Sequence, residues 1–97
     1  KALKHLAKAL KWEPKFVQAR NDEAIAYFMQ GNYEQSEKSS RALIADEPNF
    51  APAWQNLSLA LFEQGRYPEA KEAMEKAAEL GFDVPEGYRQ ELAEKLA

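Results

Sequence analysis

The sequence predicts an all-α solenoid in which antiparallel pairs of helices stack along one direction. The chain repeats itself at a spacing of 34 residues, and apolar residues within each period recur at the three-and-four spacing of a helix face. No segment alternates between apolar and polar residues as a half-buried strand does. Because a single helix pair cannot bury its apolar face alone, a fixed period of this length predicts stacked units.

The repeat is clearest between residues 13–33 and 47–67, where nine of 21 aligned positions are identical without a gap. The matched residues include Gly31 and Gly65, and glycine is suited to the left-handed conformation that ends a helix. Pro68 follows the second glycine, and proline fits the first turn of a helix. The sequence therefore predicts two helices in each period.

Short connections between these helices force neighbours to run antiparallel, and their repetition predicts a right-handed superhelix. The last helix is indicated by Asp83, Pro85 and Glu86, which resemble a capping box with an early proline. Six helices are expected, at about 1–12, 17–30, 34–46, 51–64, 68–80 and 85–96. We divide the single domain 1–97 into the second helix of a truncated repeat (1–16), two repeats (17–50 and 51–84) and a C-terminal capping helix (85–97).

Composition argues against several classes of protein. The chain has no cysteine and one histidine, so disulfide scaffolds and thiolate metal sites are excluded, and we expect neither a metal nor a cofactor. The net charge of −3 has the wrong sign for a nucleic-acid-binding protein. No apolar run approaches the roughly 20 residues that cross a bilayer. We expect a cytoplasmic protein without a nucleic-acid or membrane partner.

Catalytic chemistry is not indicated by the polar residues. His5 lies among lysines on a predicted helix face, and Ser39 and Ser40 have no histidine nearby in the predicted fold. Acidic pairs such as Glu72 and Glu75 have the spacing of neighbours on a solvated helix surface. We expect the chain not to be an enzyme, and we expect the Ser40 hydroxyl to donate to the carbonyl four residues earlier.

The residues at fixed positions resemble the tetratricopeptide repeat, whose signature is Trp-x2-Leu-Gly-x2-Tyr, then Ala-x3-Phe and a closing Pro. The second repeat has, at these positions, Trp54, Leu57, Ser58, Leu61, Ala70, Met74 and, in place of Pro, Phe82. The first repeat retains Ala24, Tyr27 and Pro48 and departs from the signature at Arg20, Glu23, Ser36 and Ser40. Since the chain begins in the middle of a repeat, we expect it to be a fragment of a longer protein of this family.

In this family the first helix of each pair lines a concave groove that binds extended peptides or helices. The resemblance therefore implies a non-enzymatic protein-interaction module. The groove is expected to be lined by Gln18, Asn21, Asp22, Ile25, Phe28, Gln55, Asn56, Leu59, Phe62, Glu63 and, on the last helix, Glu86, Arg89 and Gln90. Phe28 and Phe62 have an alternative role, which is to close each helix pair. A clamp for a C-terminal carboxylate is disfavoured, because only Asn56 matches its pattern of Lys, Asn and Arg.

Charge is distributed unevenly along the chain. Residues 1–15 carry a net charge of +4, so residues 16–97 carry −7. Five positive side chains form a stripe with helical spacing: Lys1, Lys4, Lys8, Lys11 and Lys15. The stripe fits an ordinary solvated face, a helix lying on an anionic membrane, or a surface for head-to-tail association. The alternative function is accordingly that of a scaffold segment whose ends mediate weak self-assembly of a larger tetratricopeptide protein.

Overall fold

The computed structural model describes residues 14–97, which form five helices and no strand. In chain order the helices are α1 (Pro14–Met29), α2 (Tyr33–Asp46), α3 (Ala51–Glu63), α4 (Tyr67–Glu79) and α5 (Glu86–Leu96). Their ends differ from the predicted ones by at most three residues. The predicted all-α fold of consecutive helix pairs is confirmed, while the helix predicted at residues 1–12 lies outside the described residues.

The two helix pairs turn in the same way. Gly31 and Gly65 each have a φ angle of +79°, the left-handed conformation that residues with a Cβ rarely adopt. The amide after each glycine donates back to the last turn of the first helix, as in a Schellman motif. These bonds join Asn32 N to Tyr27 O at 2.9 Å and Arg66 N to Leu61 O at 3.0 Å. The identical turns give the two hairpins the same local geometry.

Each hairpin is closed by a serine hydroxyl at the point where its helices cross. Ser36 on α2 donates to the carbonyl oxygen of Ala24 on α1, at 2.7 Å. In the second hairpin the roles are exchanged, since Ser58 on α3 donates to the carbonyl oxygen of Ala70 on α4, at 2.6 Å. All four residues are buried. Because these side chains are small, the backbones of the two helices can approach each other closely. The hydrogen bond to the facing carbonyl satisfies the buried serine hydroxyl.

Most of the apolar core belongs to the second hairpin and α5. The central cluster consists of Leu57, Leu61, Ala70, Ala73, Met74, Val84 and Leu92. In the first hairpin, α2 buries two serines, Ser36 and Ser40, beside Leu43. Burying a leucine or methionine side chain stabilises a protein by about 1.5–3 kcal/mol, and a serine contributes far less. Among residues 14–97, the repeat that departs from the signature therefore has the smaller apolar core.

Ser40 occupies a position where the second repeat has Met74. The expectation that its hydroxyl donates to the carbonyl of Ser36 is wrong, because the Ser40 Oγ is buried and has no hydrogen-bond partner among the described residues. An unsatisfied buried hydroxyl costs about 1–3 kcal/mol. This position is a second reason, besides the smaller core, for the first hairpin to be the less stable one.

A network of ionic side chains joins α2 to the second hairpin. Glu37 is only 8% exposed and accepts hydrogen bonds from Arg41 and Arg66, both at 2.8 Å, and from Gln64, at 3.0 Å. Arg66 also donates two bonds of 2.9 Å to the carboxylate of Glu69. Burial acts to raise the pKa of Glu37, but the bonds from Arg41 and Gln64 and the charge of Arg66 together hold this pKa below its ordinary value. The network therefore links the two repeats through side chains of α2 and of the turn between α3 and α4.

Helix α5 does not follow the 34-residue period. That period would set Glu91 at the position of the buried Leu57, yet Glu91 is exposed and Leu92 is 1% exposed. Leu92 and Leu96 match Leu57 and Leu61 at a spacing of 35 instead. Burying the Leu92 side chain is more favourable than burying Glu91. Helix α5 is therefore rotated about its axis, by the angle between successive residues, relative to the orientation that a 34-residue period predicts. Its faces therefore differ from those predicted.

Candidate binding groove

Polar side-chain contacts link α1 to α3 and α3 to α5. Asn56 on α3 donates from Nδ2 to the Oδ1 of Asn21 on α1, at 2.6 Å. The hydroxyls of Ser58 on α3 and Tyr88 on α5 are 2.7 Å apart and share a hydrogen bond. The faces that these contacts leave accessible form the candidate groove surface. We define it by Gln18, Asp22, Ile25, Met29, Asn56, Leu59, Glu63 and Glu91.

The α1 side of the groove surface combines polar and apolar groups at helical spacing. Gln18 is exposed and donates to Asp22, also exposed, at 3.2 Å. Ile25 is half-buried, and Met29, one turn later, is 80% exposed. An apolar side chain so accessible on a helix that otherwise packs well supplies contact area for another molecule.

The α3 side of the groove surface lies over two buried carboxamides, one on α1 and one on α3. Asn21 and Gln55, at equivalent positions of the two repeats, are 4% and 5% exposed. Asn56 is half-buried and Leu59 is half-buried beside it, while Glu63 is exposed at the end of the helix. Of the residues predicted to line the groove, Asn56 and Leu59 are thus half-buried and Glu63 is exposed, whereas Asn21 and Gln55 are buried.

The two predicted groove phenylalanines pack within their own hairpins. The ring of Phe28 meets that of Tyr33 edge-on, with centroids 5.1 Å apart, and Phe62 meets Tyr67 in the same way at 5.2 Å. Phe62 also lies 5.5 Å from Tyr88, and it packs against the central core. These contacts correspond to the alternative role stated above, in which each ring closes a helix pair.

The α5 side of the groove surface depends on the register of that helix. The prediction for Arg89 assumed a 34-residue period, but Arg89 lines a cleft of about 210 Å³ together with Lys71 and Met74 of α4. Glu91, two residues later, is exposed and lies near the Tyr88 hydroxyl. With the 35-residue spacing, the charged residue on the α5 side of the groove surface is therefore the carboxylate Glu91, and not the predicted cation Arg89.

The pKa of the Tyr88 hydroxyl depends on the charges at this end of the groove. Burial raises the pKa of its hydroxyl, the hydrogen bond with Ser58 partly opposes this, and the carboxylates of Glu63 and Glu91 raise the pKa further. Both carboxylates therefore act on one point between α3 and α5. This end of the groove is an acidic region.

A second cleft, of about 310 Å³, lies between α2, α3 and α4. Its floor is apolar, and its two cations, Arg41 and Lys76, already pair with Glu37 at 2.8 Å and with Glu79 at 3.4 Å. A charged ligand would have to displace these pairs. The carboxylates of the groove surface have no such ion-pair partners among the described residues.

Sequence reasoning missed two residues of the groove surface. Met29 follows Ile25 by four residues, a spacing that places both on one helix face. Glu91 follows from the spacing of 35 that relates Leu57 to Leu92. Both positions could therefore have been found from the sequence, because the buried leucines and the helix geometry determine which residues are exposed.

Other kinds of site are absent from the part of the chain that the structure describes. Within residues 14–97 no three His, Cys, Asp or Glu side chains are placed to hold a metal ion. None of the five helices is both long enough and apolar enough to cross a bilayer. The groove surface itself combines carboxylates, carboxamides and apolar side chains.

Comparisons with known proteins agree with the repeat geometry. A family model described as tetratricopeptide repeat matches residues 1–58, and a second model with the same description matches residues 51–81. Comparison with curated proteins and with solved structures found no match. The first family model covers more than half of the chain, and the equivalent turns, hairpin crossings and ring pairs repeat at the same period. The chain belongs to the tetratricopeptide repeat family.

Proposed function

We propose that this chain is a non-enzymatic interaction module that binds a protein or peptide segment on the groove surface. Tetratricopeptide repeats are generally protein-interaction modules, and the unit proposed to act here is the single domain 1–97. The observation that carries the proposal is the accessible row of Ile25, Met29 and Leu59 beside the amide of Asn56. Apolar contacts of this kind supply affinity, and amides hydrogen-bond to a peptide backbone.

The proposal is tested with peptides selected from a displayed library against the intact domain. Leu59→Asp introduces a charge into the middle of the groove surface and is expected to weaken binding of the selected peptides at least tenfold. The loss of most of a leucine contact, about 1.5–3 kcal/mol, corresponds to this change. Titration by fluorescence anisotropy measures the affinity, and circular dichroism checks that the variant is folded.

Ala45→Asp is the matched control, because Ala45 is exposed on α2, a helix that contributes no residue to the groove surface, and lines a depression with Ile44 and Trp54. It adds the same charge on a different helix and is expected to leave the affinity unchanged. Equal weakening by both variants would locate the binding elsewhere and reject the groove.

The second candidate function is self-assembly, and the uneven charge favours it. Residues 1–15 carry +4 and residues 16–97 carry −7, so the basic end of one copy is attracted to the acidic remainder of another. Exposed ion pairs each contribute about 0–1 kcal/mol, so the association is expected to be weak and sensitive to salt. Light scattering is expected to show a mass that rises with concentration at low salt and falls at high salt. A monomer at both salt concentrations removes this candidate.

A further inference from the structure

From residue 16 onward, the cations of the three groove helices are directed away from the groove surface. Helix α3 contains no lysine or arginine. Arg20 of α1 binds Asp46 at 2.7 Å, Arg89 of α5 lies in the cleft with α4, and Lys95 lies over the ring of Tyr67 at 5.9 Å. The ionic groups that remain on the groove surface are all carboxylates: Asp22, Glu63 and Glu91.

Two of these carboxylates act together. Glu63 at the end of α3 follows Phe62, whose ring lies 5.5 Å from that of Tyr88, and Glu91 is one helical turn after Tyr88 on α5. The hydrogen bond with Ser58 holds the Tyr88 hydroxyl between the two helices. Both carboxylates are exposed, and neither has an ion-pair partner in residues 14–97. Like charges that face one region repel each other, and a cation bound between them relieves the repulsion.

A buried acceptor on α3 points to the same kind of ligand. The Oε1 of Gln55 has no hydrogen-bond partner in residues 14–97, and only 5% of the residue is exposed. At the equivalent position one repeat earlier, the Oδ1 of Asn21 accepts the amide of Asn56 from the next groove helix. On α5 the shifted register brings the acceptor Glu91 to the place equivalent to Asn56, so no donor arrives. Buried polar atoms are almost always hydrogen-bonded, and this one needs a donor.

We propose that the occupant of the groove surface is a basic peptide segment in which lysine or arginine residues alternate with apolar ones. One cation binds at the Glu63 and Glu91 carboxylates, apolar side chains contact Leu59 and Ile25, and a donor of the peptide reaches Gln55. This inference rests on the proposed function and adds the charge of the partner to it. The net charge of −3 favours the encounter with such a segment.

The experiment uses three fluorescent decapeptides with the same leucine and alanine framework, in which the alternate positions are all lysine, all glutamine or all glutamate. Their affinities for the intact domain are measured by anisotropy at low and at high salt. The lysine peptide is expected to bind most tightly and the glutamate peptide least. The advantage of lysine over glutamine is expected to shrink at high salt, because exposed charges are screened.

Two charge-matched double variants locate the contact. Glu63→Gln with Glu91→Gln is expected to weaken the lysine peptide about tenfold and to leave the glutamine peptide unchanged. Glu72→Gln with Glu75→Gln removes the same charge from exposed positions of α4 and is expected to change neither. Equal loss from both double variants, or equal affinity for the lysine and glutamate peptides, overturns the inference.

The outcomes separate the inference from the function on which it rests. If Leu59→Asp weakens the glutamine peptide while the Glu63 and Glu91 variant has no effect, the groove binds peptides without a preference for basic ones, and only the inference fails. If none of the three peptides binds, both proposals fail.

Gln55→Met tests the buried acceptor separately. Methionine has a similar shape without an unsatisfied oxygen, so the denaturation midpoint is expected to rise while the affinity for the lysine peptide falls. A lower midpoint would mean that the oxygen is already satisfied in the free protein, and unchanged affinity would mean that no peptide donor reaches it. Either result removes Gln55 from the proposed contact.

Discussion

Replacing Leu92 with alanine is expected to lower the free energy of unfolding by about 2–5 kcal/mol, the cost of a large cavity in a packed core. Leu92 is 1% exposed and belongs to the central cluster with Met74 and Val84. It is the main apolar contact that fixes the rotation of α5. Its loss is therefore also expected to weaken the bond between Tyr88 and Ser58. Urea denaturation followed by circular dichroism measures the change.

Two neighbouring substitutions on α5 are the controls for this register. Leu96→Ala removes a side chain that is 38% exposed and is expected to cost clearly less than Leu92→Ala. Glu91→Ala changes an exposed residue and is expected to alter stability by no more than about 0.5 kcal/mol. If Glu91→Ala caused a large loss of stability and Leu92→Ala a small one, Glu91 would be the buried residue, as the 34-residue period predicts, and would not face the groove.

The fold was predictable because its determinants are local and repeated. Gly31 and Gly65 mark the same turn in each hairpin, and the apolar spacing between them defines the helices before any contact is known. Stacking then follows, since each hairpin must bury its exposed apolar face. Residues such as Asn56, Leu59 and Glu63 lie on α3, within the region where the identities recur, and their accessibility agrees with the predicted face.

The candidate site was less predictable because a helix face changes by about 100° with each residue. The identities between repeats end at Tyr67, and the segment that leads to α5 has Phe82 where the earlier segment has Pro48. One additional residue before Leu92 rotates α5 enough to place Glu91 on the groove side instead of Arg89. The burial of Gln55 arises from tertiary packing, which no pattern within α3 itself determines.

Glu37→Gln is expected to destabilise the domain by about 1–2 kcal/mol at neutral pH. The carboxylate accepts three hydrogen bonds, two of them from arginines, and bonds to charged groups each contribute about 1.5–3 kcal/mol when they are shielded from water. Arg41 and Arg66 are 48% and 39% exposed, so solvent screens part of this contribution. Glutamine retains the shape and one acceptor, which limits the cost further.

The effect of this substitution is expected to depend on pH in a defined direction. The pKa of Glu37 is lower in the folded protein than its ordinary value of about 4.3. The stability that the Glu37 carboxylate contributes is therefore complete above that ordinary value and is lost as the pH falls through the pKa of the folded protein. The difference in stability between the wild type and Glu37→Gln should therefore be constant from pH 7 to about 5 and should shrink on further acidification. Urea denaturation at each pH measures it. Glu72→Gln, at an exposed position without an ion-pair partner in residues 14–97, is the control. A difference that persists undiminished in acid would show that Glu37 stabilises the domain through packing and not through its charge.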